Sequence, residues 1–278
     1  MLLAQLRNEL WKLFGKKRTY IGFGMLLVAQ LIIVLLFRFT RASGDMVRTL
    51  EGNGHFAQQY ISVLTISSVM LLPLAFFLLP LYVALVGGDL VAKEAEDGTL
   101  RMILSRPISR LRLLYVKWLA GVIFAVFLVA SFGLSGLVVT RLFFPWGGLF
   151  VYIPGEMFGL FDSTEGLQRY CYAHVCMITK AITITSLAFM FSCFNIKPAA
   201  CTILALSLLT VDRILQAIPF FHEFKHWFVT YHLDVWLMAF TQPFPWWKLG
   251  QSFSLLVGFN ATFFAIGAVA FHARDIKS

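Results

Sequence analysis

The chain has 278 residues, 59% of them hydrophobic and only 13% charged, with a formal charge of +9. Soluble domains carry about a quarter charged residues and roughly half apolar ones, so this balance excludes an ordinary soluble domain. The apolar residues also come in long blocks, and 19–37, 52–88, 118–140, 181–196 and 249–273 contain no Asp, Glu, Lys or Arg.

A bilayer core of about 30 Å needs roughly 20 apolar residues in a helix, and backbone groups in lipid must be satisfied within the segment. The expected fold is an all-α polytopic membrane protein, a single transmembrane domain over 1–278 with six spans. The first apolar run begins only after Arg7, Lys12, Lys16, Lys17 and Arg18 and is too long for a signal-peptide core, so an uncleaved span is expected at 20–37. Span two is placed at 61–86. Pro73 and Pro80 lie seven residues apart there, on nearly the same face, and each removes a backbone hydrogen bond. A kink is therefore expected, with the two prolines as candidate pathway residues beside the plainer structural reading.

Between spans two and three lies GGDLVAKEAEDGTLRMILSRPISRLRLLYVKWLAG, residues 87–121. Gly87 and Gly88 are expected to close span two, and a short polar helix with Lys93, Glu94, Glu96 and Asp97 to follow. Gly98 suits a left-handed helix end. Thr99 can cap a second short helix, Pro107 stops it, and Ser109 can cap the helix that becomes span three, 113–139. Such dense punctuation predicts a compact helical knob over 87–112, beside the plainer reading of a solvated loop.

Span four is expected at 175–194, with Lys180 near its start, placed either to snorkel outward or to face a cavity. The four cysteines (171, 176, 193 and 201) sit in or beside apolar spans and give no disulfide framework. Span five, 199–218, is interrupted by Asp212 and Arg213, which reads as a span ending there with both side chains reaching the headgroups. Five of the seven tryptophans (146, 227, 236, 246 and 247) lie in 140–170 and 219–250. Those segments read as re-entrant or interfacial pieces, and span six follows at 253–271. With both termini on one side, the segments there hold 14 Lys and Arg against 8 on the other, with Lys180 inside a span. Positive-inside counting puts both termini in the cytoplasm. The excess charge then faces the anionic leaflet, and nucleic acid is not needed to explain it.

HEFKHWFVTYH, 222–232, contains H-E-x-x-H. On an α-helix this motif places two zinc-binding imidazoles one turn apart, with the Glu as general base. A membrane zinc protease using His222, Glu223 and His226 is therefore the alternative function. His232 falls at the third-ligand spacing of the longer form, but that form turns on a glycine where this chain has Val229, a β-branched residue that resists positive φ. The flanking residues read instead as an interfacial strip, and no metal is assigned.

The knob and its surroundings resemble the permease subunits of type-2 ATP-binding-cassette (ABC) exporters. The family pattern after the second span is E-x-E, then G-T-L, then a P-I-S-R-like run, then a Lys opening span three. Here these are Glu94, Glu96, Gly98, Thr99, Leu100, Pro107, Ile108, Ser109, Arg110 and Lys117. The amphipathic LLAQLRNELWKLF resembles the family's elbow helix, giving 1–18 that role, and FHARDIKS resembles its ending. The resemblance implies a dimer with a second copy or a paralogue in the bacterial cytoplasmic (inner) membrane, each subunit docking a cytosolic ABC ATPase. The knob would be the coupling helix, with Glu94, Glu96 and Arg106 making polar contacts and Leu100 and Ile103 forming an apolar plug. ATP and Mg would sit on the partner, since this chain has no G-x-x-x-x-G-K-[ST]. Neither the cargo nor the choice between homodimer and heterodimer follows from these residues.

Overall fold

Every long apolar block of the sequence is helical in the computed structural model, which describes residues 2–54, 56–105, 108–153 and 157–274. Among the described residues six helices are long and apolar enough to cross a membrane, over Thr19–Phe39, Val63–Glu96, Arg110–Arg141, Ser163–Ser192, Pro198–Ala217 and Trp246–Ala273. The six-span, all-α expectation holds. The boundaries differ, and each difference has a local cause.

The chain opens with α1, Leu2–Phe14, then turns into α2, Lys17–Phe39, and the short α3, Ala42–Gly52. Span two is built in pieces: α4, Ala57–Tyr60, leads to α5, Val63–Val69, α6, Leu71–Pro73, a π-helical turn over Leu74–Leu78, and α7, Leu79–Glu96. Pro73 and Pro80 bracket the π turn, so the irregularity expected of them is present as one widened turn between the two rings. The helix α7 does not end at Gly87 and Gly88. A Cβ on Gly87 would lie 2.6 Å from the Thr185 carbonyl oxygen, and one on Gly88 2.9 Å from the Thr202 hydroxyl. These glycines are the contact points at which two neighbouring helices meet α7, and small residues there let backbones approach.

Beyond α8, Thr99–Leu104, span three is α9, Arg110–Arg141. A hairpin follows: β1, Leu149–Ile153, pairs antiparallel with β2, Met157–Phe161, with Leu149 opposite Phe161. Within the segment read as re-entrant or interfacial, these five-residue aromatic runs form a two-stranded ladder that the sequence reading did not anticipate.

Span four, α10, runs Ser163–Ser192 and so begins well before residue 175. Asp162 caps it by accepting from the Glu165 N–H at 2.6 Å. Arg169 is turned inward onto the carbonyls of Ala239 (3.2 Å) and Thr241 (2.9 Å). Hydropathy stops at that arginine, but the helix does not. Consequently α10 is the most buried of the spans, packed against α7, α9, α11 (Pro198–Ala217) and α13 (Trp246–Ala273).

Between α11 and α13 come a 3-10 helix, Pro219–Trp227, then α12, Val229–Leu233, and a second 3-10 helix, Val235–Phe240. Trp236 is 1% exposed and Phe240 3%, so this stretch packs into the end of the bundle. Trp146, Trp227, Trp246 and Trp247 are exposed, unlike Trp236. The helix of span five continues past Asp212 and Arg213 to Ala217, and both side chains find protein partners.

Candidate functional site

The chain's polar chemistry gathers at two places: the end of the bundle carrying α1 and α8, and the contact between the π turn and the 219–240 stretch.

At the first, α7 stops because Gly98 follows it at φ 72°, a conformation glycine adopts without a Cβ clash. The Asp97 N–H donates to the Lys93 carbonyl at 2.9 Å, and the Gly98 N–H to the Ala95 carbonyl at 3.3 Å. Ser109 caps α9 as expected, accepting from the Arg112 N–H at 3.3 Å. Thr99 does not cap α8. Its hydroxyl donates back to the Glu94 carbonyl at 3.3 Å, because the Gly98 turn folds it against the last turn of α7. Arg110 donates to the His272 carbonyl at 3.3 Å, joining the start of span three to the end of span six. Arg106 and Pro107 lie outside the described residues.

The side chains expected to reach outward divide into two groups. Leu100 is 3% exposed and packs in the core, and Ile103 lies half-buried against it. The apolar side chain that the turn presents is Met102, 66% exposed. Glu96 is exposed and pairs with Lys93 at 2.8 Å. Glu94 points inward. Its carboxylate lies 3.0 Å from the Lys12 ammonium and 2.7 Å from that of Lys117, while Glu9 lies 2.8 Å from each of the same two lysines. The four residues make a closed quartet of alternating charge linking α1, α7 and α9. Lys117 is 1% exposed there, a burial tolerable only because two carboxylates face it. Burial opposes ionisation of Glu9, but the charges of Lys117 and Lys12 outweigh it and hold the carboxyl below the usual range. Burial likewise opposes the Lys12 charge, and Glu9 and Glu94 overcome it, raising that ammonium above its ordinary value. Beside the quartet is a cavity of about 820 Å3, walled by Glu9, Lys12 and Glu94 on one side and by Met102 and Ile103 on another.

Sequence reasoning singled out Glu94 and Lys117 but missed Lys12 and Glu9, which complete the quartet. One signal was there: Glu9 and Lys12 are spaced to pair on one helical face.

At the second place the π turn presents Phe76. The Lys180 ammonium sits 5.0 Å from its ring centroid and the Arg213 guanidinium 4.8 Å from it. Both cations pair with Asp234, Lys180 at 2.8 Å. Lys180 is 2% exposed and lies midway along α10, not near its start, so it is enclosed by protein and does not snorkel. Asp212, one residue before Arg213, accepts from the Thr230 N–H at 2.7 Å and its hydroxyl at 2.6 Å. Pro73, Pro80 and Lys180 are thus brought to one locus, completed by Phe76, Arg213 and Asp234, which sequence did not connect.

His222, Glu223 and His226 are exposed, on the 3-10 helix Pro219–Trp227. With three residues per turn, a four-residue spacing leaves the two imidazoles about 120° apart, so the helical face that a zinc site needs does not form. His232 is buried, with Nδ1 3.0 Å from the Ser252 hydroxyl and Nε2 2.9 Å from the His226 carbonyl. Among the described residues no group of three or more His, Cys, Asp or Glu is placed to hold a metal ion.

No curated protein matches the chain at a significant level. The family model described as "ABC-2 family transporter protein" matches residues 13–225, from the end of α1 to the 3-10 helix after α11. That stretch takes in five of the six spans, the Gly98 turn, and Lys180, Phe76 and Arg213, but not their partner Asp234. The chain therefore belongs to the ABC-2 transporter family, as a transmembrane transporter subunit.

Proposed function

We propose that this chain is one half of a permease dimer in the cytoplasmic (inner) membrane, with both termini cytoplasmic, and that it couples ATP hydrolysis on a separate cytosolic ABC ATPase to export. Family membership is the observation that carries this reading. In it ATP and Mg belong to the partner, α1 is the elbow helix, and α8 with its flanking turns is the coupling element. The second permease is another copy or a paralogue, and the lipid bilayer surrounds both.

The geometry supports a division of labour within the knob. Glu96 and Met102 are exposed and supply the docking surface. Gly98 and Thr99 set the fold of the turn, Leu100 and Ile103 anchor it in the core, and Arg110 ties it to span six. Glu94 acts through α1 instead of touching the ATPase. The knob is continuous with α7, an 18-residue rod about 27 Å long at 1.5 Å per residue. Its far end is the π turn. Closure of the ATPases pushes the knob, the rod carries the displacement, and Phe76 shifts between Lys180 and Arg213. Pro73 and Pro80 permit that movement.

Mild-detergent extraction of the native complex tests this. A soluble ATPase is expected to co-purify near one-to-one and to leave when Glu96→Lys is combined with Met102→Asp. Glu94→Gln should retain the ATPase but lower its coupling to transport. Absence of any ATPase from the wild-type complex would sink the reading.

A further inference from the structure

The 3-10 helix Pro219–Trp227 follows span five after one residue, Ile218, and none of its nine residues is buried. Its aromatic side chains are Phe220, Phe221, Phe224 and Trp227. We propose that this helix lies in the plane of the membrane as a brace between spans five and six. One aromatic row sinks into the acyl-chain boundary of the phospholipid leaflet, and the polar residues face headgroups and water.

The pitch sorts the residues. In a 3-10 helix positions i and i+3 eclipse, so the same geometry that parts His222 from His226 gathers Phe221, Phe224 and Trp227 into one row. The other two rows hold His222, Glu223, Lys225 and His226, all exposed. Phe220 heads the row of Glu223 and His226 and so stays on the water side. Phe221 is half-buried against Phe220 and Phe228, with ring centroids 5.1 and 6.0 Å away. Phe224 and Trp227, 50% and 74% exposed, are the members of the aromatic row that remain to be covered.

Position says what covers them. Span five has 20 residues, about 30 Å at 1.5 Å per residue, which matches a bilayer core. A helix that starts one residue later therefore starts at the boundary between tails and headgroups. Span five keeps Val211, Ile214 and Ile218 exposed up to that point, so its lipid-facing surface runs up to the helix. The other tryptophans at this end agree. Spans alternate in direction, so the connection after span three lies on the same side as the one between spans five and six. Trp146, Trp246 and Trp247 lie in or beside those connections and are exposed, as the aromatic belt of a membrane boundary requires: an apolar ring toward the tails and an N–H toward the headgroups. The helix is also fastened at its far end. The His232 Nε2 lies 2.9 Å from the His226 carbonyl, and its Nδ1 lies 3.0 Å from the Ser252 hydroxyl of span six. A leaflet that holds Trp227 thereby holds the end of span five and the start of span six at one level. This placement needs no ATPase and holds whichever side of the membrane that end faces, so it stands or falls apart from the coupling reading.

The test uses the full chain with Cys171, the exposed cysteine, replaced by serine, in phosphatidylcholine nanodiscs that leave both membrane faces open. Phe224→Cys and His222→Cys are made separately and carry a nitroxide spin label. Power saturation then compares collisions with oxygen, which concentrates in lipid, and with a neutral nickel chelate, which stays in water. The label at 224 is expected to favour oxygen and to report a depth of about 5–10 Å, as for an interfacial helix. The label at 222 should favour nickel. Adding Phe224→Ser and Trp227→Ser to the 222 label should loosen the helix, read as a narrowed spectrum in protein whose elution volume is unchanged. Equal collision profiles at 222 and 224 would overturn the proposal. So would a 222 spectrum indifferent to the two serines, which would mean that protein contacts hold the helix. A 224 spectrum that is broadened and then sharpens on dilution with unlabelled chain would put a second copy on the row instead of lipid, and would overturn it as well.

Discussion

Lys117 is 1% exposed and lies between Glu9 and Glu94 at 2.8 and 2.7 Å. A buried ion pair is weak as a source of stability, but removing one partner strands the others. Lys117→Met should therefore cost about 3 kcal/mol, read as a lowered melting temperature and as protease sensitivity of α1. Adding Glu9→Gln and Glu94→Gln should restore much of the loss, because no carboxylate is then left unpaired. Failure of that rescue would mean that Lys117 acts through packing alone. Lys180 follows the same physics with different neighbours. Its single carboxylate, Asp234, is shared with Arg213, and the Phe76 ring makes up the difference.

Among the elements, α7 shows best how a rigid rod is written into sequence. Its glycines are packing points, and they are testable as such. Gly87→Val should be destabilising by about 1–3 kcal/mol through overpacking, since its Cβ would meet the backbone of α10 at 2.6 Å. Gly24→Ala, at a helical position where a Cβ meets nothing within 4 Å, should be neutral or stabilising by about 0.5–1 kcal/mol. Parallel thermal melts of the two purified variants decide the point, and equal losses would contradict the packing role. The same glycines show what was legible. Apolar blocks gave six spans because lipid demands long uninterrupted runs, and Gly98 and Ser109 gave the turn because backbone geometry there is local. Gly87 and Gly88 misled, since the glycine that ends a helix and the glycine on which another helix rests look alike without their neighbours. The hairpin 149–161 and the early start of α10 were hidden for a related reason. Their polar and aromatic residues are satisfied by partners distant in the chain, such as Arg169 by the carbonyls of Ala239 and Thr241. Of the candidate site, Glu94 was visible through the family pattern and Lys180 as a charge inside a span, but their meeting with Lys117 and Asp234 was visible only in three dimensions.

For the whole molecule, the distribution of positive charge predicts an orientation. With Cys171, the exposed cysteine, replaced by serine, Phe220→Cys should react with a membrane-impermeant maleimide on intact cells. Met102→Cys should react only after permeabilisation; the reverse pattern would invert the topology. Both engineered positions are exposed, at 76% and 66%, so with the permease expressed without its ATPase, access to the reagent depends on the membrane. The quartet has a further meaning for how the protein is made. Chains are synthesised from the N-terminus, and domains form as they emerge. Glu9 leaves the ribosome well before Lys117, and its bond to Lys117 closes a separation of 108 residues. Until span three has been threaded, Glu9 and Lys12 of α1 can meet Glu94 of α7, but Lys117, the cation that closes the ring, is missing. The closed ring thus reports that the first three spans are in place, and a ribosome stalled before residue 117 would hold a nascent chain whose ring is still open.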